Sequence, residues 1–249
     1  MSIENQRDFA FPEDVMTRVM SRRDRVHPYE RVDPSRTAFV VVDMQNAFLA
    51  TDSPVGLQTA RDIVPTVNRL AAAVRRTGGR VVWIVSTYGP DARDHWRVLL
   101  GDVFAAQAAE ALRALLCEGA PGHALWPLLA VHDADAIVSK NRSSAFLGSH
   151  GALQQLLASQ RIETVLIGGT MTSVCCESTA REAAMLDYRT IFVADASGGR
   201  SPQEDLAAFS TFIQSFGDVA LCDDVIGRLE SGVQALAGPA AAAHSALRR

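Results

Sequence analysis

No stretch of this sequence offers about eighteen consecutive apolar residues, so it contains no candidate membrane span. Residues 1–36 also lack the apolar core of a secretory leader. They are polar and punctuated by Arg18, Arg22, Arg23, Arg25, Arg31 and Arg36. An excess of positive charge is missing too. The formal net charge is −4 over 249 residues, which leaves no overall field to gather phosphates and argues against nucleic acid as a partner. Cysteine is sparse, at positions 117, 175, 176 and 222. The adjacent pair is poorly placed to form a disulfide, and no spacing fits a metal site. A reduced, cytoplasmic protein is therefore expected, with neither membrane nor nucleic acid as a partner. The sequence shows no internal repeat.

What is present is enough apolar residue for one large core. Hydrophobic residues make up 48% and charged ones 21%, as suits a single α/β domain of this length. Six short runs rich in Val and Ile read as strands, at 38–43, 80–86, 136–139, 164–168, 190–195 and 218–222. They are nearly continuous in apolarity rather than alternating, as strands covered on both faces are. Helical patterns lie between them at 61–77, 151–160, 178–186 and 205–216, and Gly78–Gly79 reads as a helix stop. Such alternation predicts a three-layer α/β/α, Rossmann-like domain around a mainly parallel six-stranded sheet. The flanks differ in character. Residues 1–36 read as a charged arm, 37–234 as the domain, and 235–249 as an alanine-rich tail, a frayed helix or disordered end with no assigned function. Within the arm, Val15, Val19 and Met20 recur at roughly helical spacing. A short helix of that kind needs a packing surface, from its own domain or from a neighbouring subunit.

In parallel sheets, chemistry collects beyond the carboxyl ends of the strands. That rule selects Asp43, residues 86–96, Lys140, residues 168–176 and residues 195–197. The segment GGTMTSVCCESTAREA, residues 168–183, leaves a strand and enters a helix. A cysteine in the first turn there meets unpaired N–H groups and a helix dipole that favour the thiolate. The segment alone leaves two readings open, a nucleophile and a buried structural cysteine. Asp43, in VVVDMQNAFL, is placed for general-base work or for ordering a loop. Lys140, in AIVSKNRSSAF, would by itself be a solvated lysine. Together the three supply a nucleophile, a base and a cation.

These segments, in this order, resemble the isochorismatase-like cysteine hydrolases, the superfamily that holds nicotinamidases, N-carbamoylsarcosine amidases and ureidoacrylate amidohydrolases. The similarity runs roughly from Thr37 to Asp224 and is most specific around Cys175. The resemblance implies an Asp–Lys–Cys triad falling on Asp43, Lys140 and Cys175. The T-x-x-C spacing counted from Thr172 selects Cys175 over Cys176. It also implies a cis peptide between Thr170 and Met171, and an oxyanion hole formed by the N–H groups of Met171 and Cys175. The chemistry it implies is hydrolysis of a C–N bond in a small amide or ureido substrate, without a cofactor. Vinyl-ether hydrolysis of the isochorismatase type and a non-catalytic, metabolite-binding relative are the alternatives. The Asp-x-His metal site of nicotinamidase-like members is not matched. Asp52, Asp91, Asp94 and His95 lack ligand spacing, so no metal is expected. Phe48, Tyr88, Trp96, Arg97, Arg142 and Phe146 are candidates to line the substrate pocket, and either arginine is suited to a substrate carboxylate. A homo-oligomer, dimer or tetramer, is expected from the same resemblance, with the arm contributing to the subunit contact.

Overall fold

The structure, a computed structural model, describes residues 10–89 and 96–246, with side chains through residue 236. In chain order, helix α1 (Glu13–Arg23) precedes strand β1 (Thr37–Val42). The short helices α2 (Asn46–Leu49) and α3 (Gln58–Asp62) and then α4 (Val64–Arg76) lead to β2 (Arg80–Ser86). Helix α5 (Ala106–Leu116) lies in the long connection to β3 (Ala136–Lys140), which is followed by α6 (Ala145–Gly148) and α7 (Ala152–Ser159). Then come β4 (Thr164–Thr170), α8 (Glu177–Met185), β5 (Arg189–Gly198), α9 (Pro202–Ser215), β6 (Asp218–Ala220) and α10 (Cys222–Ala246).

All five strand pairings are parallel, in the order β3-β2-β1-β4-β5-β6. The chain therefore builds outward from β1 in one direction through β2 and β3, and in the other through β4, β5 and β6. Strand order reverses between β1 and β4, which opens a crevice at their carboxyl ends.

The continuous apolarity of the strands follows from burial on both faces. Val40, Val42, Ile84 and Ile167 point into one core with Leu153, Ala180, Ala183, Phe209 and Phe212 from α7, α8 and α9. Their neighbours Phe39, Val41, Trp83 and Leu166 point into the other, against Val67, Leu70 and Val74 of α4 and Val225 and Leu229 of α10. Each large apolar side chain so buried contributes about 1.5–3 kcal/mol. A third, smaller cluster joins Ala47, Tyr88, Leu100, Ala109 and Leu116. It packs α5, which has no counterpart among the sequence-expected helices, onto the segments that follow β1 and β2.

All six expected strands are present. Strand β5 runs on to Gly198, beyond the expected end at residue 195. The alanine-rich tail is helical through Ala246, as a continuation of α10. The charged arm finds its packing surface on its own chain. Val15 and Val19 of α1 are buried in the core shared with α9. Arg22 donates to the Gln214 carbonyl at 2.8 Å and Arg23 to the Gly217 carbonyl at 3.1 Å. Among the described residues, no helix is long and apolar enough to cross a membrane.

Candidate active site

Asp43, Lys140 and Cys175 arrive at the crevice from three different strands. Asp43 is the first residue beyond β1, and its N–H extends the ladder by bonding the Ile84 carbonyl at 3.0 Å. Its φ of 54° lies in the left-handed region, which aspartate tolerates better than most side chains. The turn there is close, because Gly169 at the end of β4 lies against Val42. A Cβ on Gly169, whose φ is +115°, would sit 2.1 Å from the Val42 carbonyl oxygen. Lys140 is the last residue of β3. Gly148 of α6 packs so tightly on it that an added Cβ would approach the Lys140 Cβ to 2.9 Å. Cys175 lies in a wide helical turn, Thr172–Cys176, between β4 and α8. The preceding peptide bond, Thr170–Met171, is cis.

The ammonium of Lys140 is the hub. Its three N–H donors go to Ser86 Oγ at 2.9 Å, the Arg142 carbonyl at 2.9 Å and Cys175 Sγ at 3.4 Å. Asp43 Oδ2 lies 2.9 Å from the same nitrogen as an ion contact. With the donors already committed, that oxygen accepts no aligned hydrogen bond. The other carboxylate oxygen, Oδ1, accepts from Ser86 Oγ at 3.0 Å. Both side chains of the ion pair are 1% exposed, so solvent screens little of the attraction.

Burial dominates the electrostatics of the sulfur. It pushes the Cys175 thiol up to about 12, and Asp43 adds to the rise while Lys140 opposes it. Burial works to lower the Lys140 pKa, but the carboxylate of Asp43 and the sulfur outweigh it and leave the ammonium more firmly protonated than usual. Burial thus favours the neutral thiol of Cys175, while the contact with Asp43 favours the ammonium of Lys140. Cys176, fully buried in the apolar core, has its thiol held well above the ordinary range, again chiefly by burial.

Side-chain bonds lock the surrounding backbone. Thr179 donates to the Cys175 carbonyl at 2.7 Å and accepts from the Ala145 N–H at 3.0 Å, which ties the turn of Cys175 to the helix beside Lys140. Glu182 receives Ser144 Oγ and the Leu147 N–H. Gln45, fully buried, accepts from the Ser86 N–H at 2.7 Å and donates to the Ser86 carbonyl at 3.0 Å and the His123 carbonyl at 2.8 Å. Gln45 and Thr179 escaped sequence reasoning. Ser86 opened the stretch 86–96 selected at a strand end, which marked its place but not its bonds.

The expected pocket residues divide. Tyr88 is buried close enough to Lys140, Cys175 and Asp43 to interact with all three, and burial raises its phenol pKa. The Arg142 guanidinium lies 5.8 Å from the ring centroid of Trp96. Its Nη1 is bonded to the Asn141 carbonyl and side chain at 2.8 and 3.0 Å. Phe48 is half-buried and bridges two apolar clusters. Arg97 is exposed, and no described contact joins it to the three central residues. Phe146 is 4% exposed and packs in the core 5.8 Å from the Tyr188 ring. Among the described residues, no three His, Cys, Asp or Glu side chains gather as metal ligands. Asp91, Asp94 and His95 lie outside the described residues.

Residues 37–224 match the isochorismatase domain family. The chain is 29% identical over 204 residues to the ureidoacrylate amidohydrolase RutB of Methylorubrum extorquens, covering 76% of this chain and 82% of that protein. It is 25% identical over 201 residues to the N-carbamoylsarcosine amidase of an Arthrobacter species, covering 79% and 72%. Among solved structures, a cysteine hydrolase from Pseudomonas syringae pv. phaseolicola 1448A superposes with a TM-score of 0.72 at 27% identity, covering 81% of this chain and 95% of that one.

Proposed function

The chain belongs to the isochorismatase family, and we propose that it is a cysteine amidohydrolase cleaving a C–N bond of a small amide or N-carbamoyl (ureido) substrate through a thioester. The observation that carries this reading is the position of one ammonium, 2.9 Å from the Asp43 carboxylate and 3.4 Å from the Cys175 sulfur. A thiol held near 12 is protonated at neutral pH, so it needs a base at the moment of attack. Oδ2 of Asp43, paired with the ammonium but without an aligned donor, is the acceptor in this reading.

In this reading Asp43 takes the Cys175 proton as sulfur attacks the carbonyl carbon, and Lys140 stabilises the developing thiolate. The oxyanion forms against the N–H groups of Met171 and Cys175. Asp43 then gives its proton to the departing amine or ammonia. A water, deprotonated by the same carboxylate, cleaves the thioester and frees the acid. An attacking sulfur in the site favours C–N cleavage over vinyl-ether hydrolysis, which requires no nucleophile.

Two relatives bear names that specify ureido or N-carbamoyl acids, and Arg142 gives this chain a means to hold such an acid. Its described bonds use Nη1 alone. The edge formed by Nε and Nη2 remains for a carboxylate, with Trp96 beneath the guanidinium.

Ammonia release from a panel of ureido acids and primary amides, run beside Cys175→Ala, tests the proposal. Release by the wild type and not by the variant is the expected result. Cleavage of isochorismate without ammonia release would replace the reading with vinyl-ether hydrolysis. Saturable binding without turnover would leave a metabolite-binding relative.

A further inference from the structure

Ser86 ends β2 in register with Lys140 on β3, so the two side chains leave the sheet side by side on one face. Its hydroxyl accepts from the Lys140 ammonium at 2.9 Å and faces Asp43 Oδ1 at 3.0 Å. An ammonium has no lone pair and can only donate, so the single hydroxyl proton is directed to the carboxylate. The direction of this chain is therefore fixed, from lysine to serine to aspartate.

Two consequences follow for the reacting atoms. Oδ1 of Asp43 is occupied, which leaves Oδ2 as the oxygen without an aligned donor. One ammonium N–H is held by Ser86 and a second by the Arg142 carbonyl, so the third falls on sulfur. Ser86 has little freedom to do otherwise. The Gln45 carboxamide grips both its N–H and its carbonyl, as a neighbouring strand would. The Thr87 N–H bonds the Lys140 carbonyl at 2.8 Å and fixes the strand beyond it.

We propose that Ser86, clamped by Gln45, is a positioning residue that selects Oδ2 of Asp43 as the proton acceptor and aims the Lys140 ammonium at the Cys175 sulfur. The role rests on the cysteine chemistry proposed above, and it predicts a pH signature that a space-filling serine would not produce. The titratable groups coupled to Asp43 are Lys140, Cys175, Cys176 and Tyr88. All four are shifted upward. A carboxylate that loses a hydrogen-bond donor has its anionic form destabilised, so removing the Ser86 hydroxyl should move an acid limb of sulfur reactivity to higher pH.

The experiment is the rate of Cys175 alkylation by iodoacetamide as a function of pH, followed by mass mapping, in the wild type and in Ser86→Ala, Ser86→Thr and Ser86→Cys. The alanine variant is expected to react about tenfold more slowly at neutral pH, with its acid limb about one pH unit higher, the loss of one buried hydrogen bond to a charge. The threonine variant should return to within about threefold of wild type, since it restores the hydroxyl. A folded alanine variant whose profile overlies the wild type would overturn the proposal, and so would a folded threonine variant that fails to restore it. If the alanine variant does not fold, the nearly isosteric cysteine, a weaker donor, decides: an unshifted profile at residue 175 overturns the role. Alkylation needs no substrate. A wild type that releases no ammonia would sink the amidohydrolase reading and leave this profile to judge Ser86 separately.

Discussion

Asp43 and Asp218 are both buried against cations, and the two differ in how their oxygens are filled. Asp218 opens β6, at the amino ends of the strands, and is fully buried. Its Oδ1 lies 2.8 Å from His27 Nδ1 and its Oδ2 accepts from Arg228 Nη1 at 2.7 Å. Arg228 also bonds the Tyr29 carbonyl at 3.1 Å, so the cluster sews the arm to α10. Asp43, past the carboxyl end of β1, is as deeply buried and as close to its cation, but one of its oxygens has no aligned partner. A carboxylate with both oxygens satisfied holds chain segments together. One with an oxygen in reserve, beside a thiol, can accept a proton. Burial and charge are shared by the two sites, and unfilled hydrogen-bonding capacity separates them.

The strongest test removes the thiol. Cys175→Ala should lower turnover on the best panel substrate by about 10⁴-fold or more, while Cys176→Ala keeps it within tenfold (~1.4 kcal/mol at most). Neighbouring residues on a helical turn point roughly 100° apart, and Cys176 faces the core. Comparable losses in both variants would break the assignment of the nucleophile.

Exchanging the two carboxylates for amides sharpens the contrast directly. Asp43→Asn should reduce turnover by about 10³-fold, within the range for a lost general base. Asp218→Asn should leave turnover of the folded protein within about threefold and cost about 3 kcal/mol in urea denaturation, because it strands a buried cation. A large activity loss at Asp218 without destabilisation would erase the distinction drawn here.

A milder effect is expected at Arg142. Its replacement by Gln should raise KM for ureido acids about tenfold or more and leave neutral amides nearly unchanged, as the loss of one charge-assisted bidentate contact implies. Equal changes for both substrate classes would remove the carboxylate from its role.

The smallest effect is on stability at alkaline pH. The Cys175 thiol, raised by burial, and the Lys140 ammonium, raised against burial by Asp43, both hold their protons more tightly in the folded chain than in the unfolded one. Their stabilisation is complete below about pH 9 and declines as pH climbs toward the folded values. Between about pH 8 and pH 10.5 the urea midpoint of the wild type should fall further than that of Cys175→Ser. Parallel declines would show that the thiol is not coupled to folding in this way.

How much of this was legible in the sequence depended on the range of the signal. The strands were visible because burial on both faces writes an uninterrupted Val/Ile run, and the site lay where parallel strands end. Asp43, Lys140 and Cys175 could be named because their three segments, in that order, resemble one family; by residue type alone Lys140 read as a solvated lysine and the adjacent cysteines were not told apart. The bonds of Ser86 and Gln45 could not be read, since a serine at a strand end and a glutamine in a loop carry no periodicity, and their partners lie 41 or more positions away. Phe146 shows how sequence proximity and packing direction differ. Its proximity to Lys140 in sequence suggested the pocket, but the turn into α6 sends the ring to the core beside Tyr188. Helix α5 went unread because its buried face is only Ala109 and Leu116, too sparse to stand out as a stripe.

The chain carries 24 lysines and arginines together, and Lys140 is its single lysine. Surface cations are arginine throughout, while the one side chain required to be a compact donor to three different acceptors is an ammonium, 1% exposed. Protein grown on lysine isotopically labelled at the ε position would therefore give one side-chain resonance in an NMR spectrum, with no surface signal to obscure it. That resonance would arise at the meeting point of Asp43, Ser86 and Cys175, and would report every protonation, alkylation or occupancy event there.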